Sequence, residues 1–241
     1  MIKRAAYRGV LCLAFATLSL QADSLILGDP PMQGTGNCDP FGCPTFFGLG
    51  TYQQVYLSSA FPDTISIQGL TFFEAQVLNG AAPASGSFTL SFSYTSFAPG
   101  DLNLANPEAN VSWGYEEFFS GTLPSLTPKG TGDELIINGT PFVYDPADGN
   151  LLLTVTVNGA SNSTPPLYLN EAQCGPQTTC PNGVSVVSSS AYFGTTNGGN
   201  QSGGLVTGFD YAPGSAVPEP GSWSLVLAGM AAIGWSKRRW F

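Results

Sequence analysis

Hydrophobic and polar positions alternate with a period of two along much of the chain between residues 52 and 211. The clearest stretch is residues 87–95 (SFTLSFSYT), where Phe88, Leu90, Phe92 and Tyr94 alternate with serines and threonines. This is the pattern of a strand with one buried face. Residues 150–157 repeat it, with Leu151, Leu153, Val155 and Val157 on one side and Thr154 and Thr156 on the other. Residues 64–68 contribute Ile65 and Ile67, and Gly69 reads as a break before a second apolar run at 70–77. The pattern predicts further strands at 52–57, 115–119, 134–137, 141–144, 184–193 and 205–211. Between the runs, Asn79-Gly80, Asn138-Gly139, Asp148-Gly149 and Asn158-Gly159 are dipeptides that permit positive φ and tight hairpins. The body sustains no helical period. Many short strands divided by Gly and Pro turns predict an all-β fold over residues 23–211, a two-layer antiparallel β-sandwich of jelly-roll or immunoglobulin-like type. Residues 194–204 (GTTNGGNQSGG) read as a flexible loop and 212–216 as a spacer.

The two ends break this pattern. Lys3, Arg4 and Arg8 precede an apolar run at 10–20, and Ala22 supplies a small residue before Asp23. This layout predicts a secretory signal peptide over 1–22, helical and removed by signal peptidase between Ala22 and Asp23. At the other end Val217, Pro218, Glu219 and Pro220 precede an apolar segment (GSWSLVLAGMAAIGWS), followed by Lys237, Arg238 and Arg239 and a final Trp240 and Phe241. The two prolines cannot continue a helix and hold an extended segment ahead of one. From Trp223 to Trp235 the apolar stretch spans only 13 residues, against the roughly 20 of a stable membrane span. Such a helix suits transient insertion, with its basic cluster on the cytoplasmic side; the alternative is an unprocessed tail anchor.

This three-part tail resembles the PEP-CTERM sorting signal, a region also called the ice-binding protein C-terminal domain, a label that carries no implication of ice binding. The resemblance covers residues 217–241. It implies recognition and cleavage by an exosortase-like enzyme in the membrane. It also implies an exported protein of the cell envelope surface or exopolysaccharide (biofilm) matrix, held transiently at the inner membrane by the C-terminal helix. A segment beginning TPFVYDPADGN at Thr140 is similar to one that recurs in such surface proteins.

Charge narrows the function classes further. Six of the seven basic residues lie in the two ends, so residues 23–217 hold one base, Lys129, against fifteen acids, a net charge of −14. Nucleic-acid binding is excluded, because it rests on Lys and Arg displacing counterions from phosphates. The chain is 12% aromatic, which separates it from acidic disordered chains.

Candidate chemistry is sparse. The chain has no histidine, which removes the usual general base and the commonest zinc ligand. Cys12 falls in the signal peptide, and Cys38, Cys43, Cys174 and Cys180 form two close pairs. In an exported protein these point to disulfides, in any of three connectivities; a four-thiolate metal site is the alternative. Asp145, Asp148 and Asn150 offer oxygen ligands for calcium, or are ordinary turn formers. Glu116-Glu117 and Asp133-Glu134 bring carboxylates together in sequence, but strand neighbours point to opposite faces. Trp113, Tyr115 and Tyr168 are candidates for stacking on sugar rings, or for packing. No catalytic residue, cofactor or metal is predicted. The sequence thus reads as a non-enzymatic surface or matrix protein, with a lectin-like module that binds polysaccharide as the alternative.

Overall fold

The computed structural model describes residues 23–28, 36–45, 49–75, 80–130, 132–171, 188–194 and 200–214. Their strands are β1 (Asp23–Leu27), β2 (Gly36–Asn37), β3 (Leu49–Tyr56), β4 (Ile65–Phe73), β5 (Ser85–Thr95), β6 (Trp113–Gly121), β7 (Glu134–Tyr144), β8 (Asn150–Ser161), β9 (Leu169–Asn170), β10 (Ser188–Gly194), β11 (Asn200–Gly203) and β12 (Thr207–Pro213). Helical structure among them is limited to the 3-10 turns Ser58–Ala60, Pro107–Asn110 and Pro146–Asp148.

Two antiparallel sheets pack face to face as a β-sandwich, one ordered β1-β12-β4-β7 and the other β11-β10-β3-β8-β5-β6. The two-residue strands β2 and β9 pair separately. Period-two patterning decides which side chains meet between the layers. Phe88, Leu90 and Phe92 of β5 and Leu151, Leu153 and Val155 of β8 are buried against Ile67, Leu70 and Phe72 of β4 and Phe209 of β12. Tyr56 of β3 lies edge-on to Phe209 of β12 across the layers (5.0 Å). Phe61 lies edge-on to Tyr144 and Phe209, and Phe92 to Phe118, with ring centroids 4.8–5.3 Å apart.

The core includes polar side chains, Gln54 and Thr207 among them. Gln54 is fully buried on β3; its Nε2 donates to the Leu205 carbonyl (2.9 Å), and its Oε1 accepts from the Leu205 N–H (2.8 Å) and the Tyr52 hydroxyl. Leu205 lies where the chain crosses from β11 in one sheet to β12 in the other. Gln54 thus pairs backbone groups that the crossing would leave unsatisfied.

Several sequence-based boundaries are corrected. Gly69 does not end a strand: β4 runs through it across a register shift, opposite Asn138 and Asp210, where a side chain would crowd both. Asn138-Gly139 is no hairpin turn but the middle of β7, which passes close to Phe118 of β6. Asn158-Gly159 lies inside β8, which continues pairing with Ser87 and Ser85 across a bulge. The predicted loop at 194–204 is in part the edge strand β11, hydrogen-bonded to β10. The predicted start of the spacer is two residues too early, because Ala212 and Pro213 still pair with Ser66 and Ile65. No helix among the described residues is long and apolar enough to cross a membrane. The predicted terminal helices lie outside those residues, as do Ala22, Cys174, Cys180 and the sorting residues 217–220 and 237–239.

Candidate functional site

The outer face of the six-stranded sheet carries the body's most distinctive surface. Residues 96–112, between β5 and β6, fold back over part of it. Leu102 packs on Val55 and Leu152, flanked by Phe97, Leu104 and Val111, so these outward positions are apolar because a loop covers them. Beside this patch Asn110, wholly buried, donates from Nδ2 to Gln53 Oε1 (2.8 Å) and to the Asn103 carbonyl (3.2 Å), and accepts the Asn103 N–H (2.7 Å). Gln53 in turn donates to the Pro107 carbonyl (3.0 Å) and Thr154 Oγ1 (3.2 Å).

Beyond the loop the face is partly exposed. Thr51, Thr156, Thr89 and Ser120 stand in one cross-strand row over β3, β8, β5 and β6, and the hydroxyls of Thr89 and Ser120 lie 3.4 Å apart. Strand spacing sets neighbouring members about 4.8 Å apart. Gln53, Thr154, Ser91 and Glu117 form the adjoining row. Tyr115 lies over it, its hydroxyl accepting from Ser91 Oγ (2.9 Å) while the residue stays 55% exposed.

Trp113 and Tyr115 are two residues apart, yet they do not share a face. Trp113 pairs with core-facing Tyr94 and Glu116 with Phe92, so Gly114 and Tyr115 together oppose the single residue Ser93. Gly114 at φ +69° makes this bulge. Trp113 therefore stacks on Tyr94 (3.9 Å, 5° between planes) at the sandwich edge, and Tyr115 turns to the outer face. Burial raises the Tyr94 hydroxyl pKa, opposed by the hydrogen bond from the Asp145 N–H. Tyr168 is half-buried.

The other sequence candidates do not converge. Asp145 Oδ1 caps the following turn through the Ala147 N–H (2.9 Å); Asn150 accepts from the Ser58 N–H and donates to the Phe97 carbonyl (both 2.9 Å). Asp145 and Asn150 are thus occupied in shaping loops, and no group of three or more His, Cys, Asp or Glu is placed to hold a metal among the described residues. Glu117 pairs with Ser91 and Glu116 with Phe92, on opposite faces. Glu134 meets Lys129 (3.5 Å), and the Asp133 N–H donates to Glu74 Oε2 (2.9 Å).

A second locus is the loop CDPFGC. Cys38 and Cys43 form a disulfide, so one local pair of the two is joined. Phe41 is driven fully into the core against Phe72 (4.8 Å) and Phe88 (6.1 Å), while Gly42 lies flat on the Leu167 backbone. Asp39 is only 3% exposed, and burial pushes its carboxyl up to about 6. Sequence reading missed Asp39, since nothing in the pattern distinguishes a buried Asp-Pro from a surface turn.

The described body is thus a disulfide-stapled antiparallel β-sandwich with one half-covered polar face. Residues 216–239, directly after it, match the family model described as the PEP-CTERM protein-sorting motif. The motif implies an exported protein, processed by an exosortase and sorted to the cell surface. No curated protein and no solved structure matches the chain.

Proposed function

We propose that this is a non-enzymatic component of the cell surface or extracellular matrix, freed of its signal peptide at Ala22–Asp23 and of its tail at the Pro-Glu-Pro motif. The observation that carries the reading is the sorting motif at 216–239 placed directly after the last strand of a folded body. Gly214 still donates its N–H to the Thr64 carbonyl (2.9 Å), and only Ser215 and Ala216 separate it from Val217. Mass spectrometry of unreduced protein from cells and from medium tests it. A chain starting at Asp23, ending near 217–220 and lighter by the hydrogens of two disulfides is expected; an intact 237–241 tail overturns it.

A second reading, a lectin-like module for matrix polysaccharide, is favoured by Tyr115. Its exposed ring stands beside the Thr51–Thr156–Thr89–Ser120 row, a set of hydroxyls suited to bonding sugars. Binding on a glycan array that is lost in Tyr115→Ala supports this reading, and no binding to any polysaccharide removes it.

A further inference from the structure

The CDPFGC loop sets a carboxyl against a sulfur that has no proton to give. Asp39 Oδ1 lies 3.5 Å from Cys43 Sγ, and both residues are 3% exposed, whereas Cys38 is partly open to solvent. A buried carboxylate facing an oxidised sulfur is costly, and no base among the described residues offsets it. Described residues that bond to or pack on the loop's backbone include Asn37, Ala84, Ser163 and Leu167, none of them ionisable.

We propose that the Cys38–Cys43 disulfide is exchange-active toward thiols, with Cys38 the sulfur attacked, Cys43 the leaving sulfur and Asp39 the carrier of its proton. A thiolate attacks Cys38 Sγ and the S–S bond breaks. The electron pair passes to Cys43 Sγ, which takes the proton of the Asp39 carboxylic acid 3.5 Å away. A second thiolate attacks the mixed disulfide on Cys38 and leaves as a disulfide with the first, and the displaced Cys38 sulfur takes a proton from solvent. The protein disulfide is reduced, two external thiols are oxidised, and Asp39 recovers its proton from solvent. In reverse, the Asp39 carboxylate draws the proton from the Cys43 thiol and prepares it to close the bond.

The loop is built to survive the open state. The N–H groups of Gly42 and Cys43 both donate to the Cys38 carbonyl (2.6 and 3.0 Å), and the Phe41 carbonyl accepts from Ala84 (2.6 Å). With Phe41 held in the core, the two sulfurs stay near each other when reduced. The reaction is stoichiometric, one exchange per molecule, and adds to a non-catalytic surface role.

The test uses the full, oxidised protein with glutathione, quenched by iodoacetamide and read peptide by peptide so that Cys174 and Cys180 are scored separately. Glutathione is expected on Cys38 at about ten times the level on Cys43. The wild-type rate, normalised to glutathione thiolate, should fall as pH rises through about 6, where the proton of Asp39 is lost. Asp39→Asn should remove that inflection and slow the acid-side reaction about tenfold. Equal labelling of the two cysteines, or a flat wild-type profile from pH 4 to 8, overturns the proposal. Both readouts come from the wild type and stand even where the variant fails to fold.

Discussion

Asp23 stands opposite Tyr211 in the antiparallel β1–β12 pair, and Pro213 stands opposite Ile65 in the neighbouring β12–β4 pair. The first and last strands of the body are therefore neighbours, and both its ends leave from the same end of one sheet. The Cys38–Cys43 loop packs through Phe41 on Phe72, seven residues along β4 from Ile65, which is about 23 Å away. A tail that holds the body at the membrane thus holds it by one end and leaves the disulfide at the other.

The short distance from the last strand to the Pro-Glu-Pro motif would crowd the proposed cleavage site. Three residue steps from Gly214 to Val217 reach about 10 Å at full extension, less than the width of the sheet they leave. A ten-residue Gly-Ser insertion after Gly214 should therefore speed removal of the tail severalfold in a pulse-chase experiment. An unchanged rate would mean that the body does not obstruct the enzyme.

Gly139 predicts a stability effect with no bearing on sorting. A Cβ there would overlap the Phe118 carbonyl and come within 2.9 Å of its ring, whereas at Gly130 it would meet nothing within 4 Å. Gly139→Ala should cost about 2–3 kcal/mol in urea unfolding by prising β6 from β7. Gly130→Ala, at φ +76°, should cost about 1 kcal/mol through backbone strain alone. Equal losses would remove the packing argument.

How much of this was legible beforehand depends on the range of the contacts. Phe88 to Tyr94 and Leu151 to Val157 announce their strands, because period-two burial is written locally. Asn138-Gly139 misleads because the dipeptide looks the same whether its glycine makes a turn or admits Phe118, a contact between separate strands. Trp113 and Tyr115, two residues apart, lie on different faces because of the bulge at Gly114, which is defined only by pairing across to Ser93. Gln54 and Asp39 left no signal, since burial of a polar residue is a property of what the rest of the chain packs around it.

The buried Asp39 makes the oxidised protein's stability depend on pH in a stated direction. Its folded pKa is raised from 3.8 to about 6, so folding favours the protonated form. The contribution is complete below pH 3.8 and is lost as pH rises through about 6. Relative to Asp39→Asn, the wild type should lose about 3 kcal/mol between pH 3.5 and pH 7. Parallel pH profiles of the urea midpoints for the two proteins would contradict this.

Asn110 is the hinge pin of the loop that covers the outer face, and its loss should separate local from global stability. Asn110→Ala strips three hydrogen bonds and leaves Gln53 Oε1 and both Asn103 backbone groups without their partner on this side chain. Unsatisfied buried groups cost about 1–3 kcal/mol each. The cheaper response is for residues 96–112 to lift and let water in, because the layer between the sheets does not depend on them. Limited proteolysis should then cut within 98–109 at least tenfold faster, and hydrogen exchange at Asn103 should rise, while the global unfolding midpoint moves little. A large loss of global stability with no faster cutting would instead make the loop part of the sandwich's cooperative core. Tyr115 and the Thr51–Ser120 row would then border a rigid wall, whereas the expected result gives them a movable one.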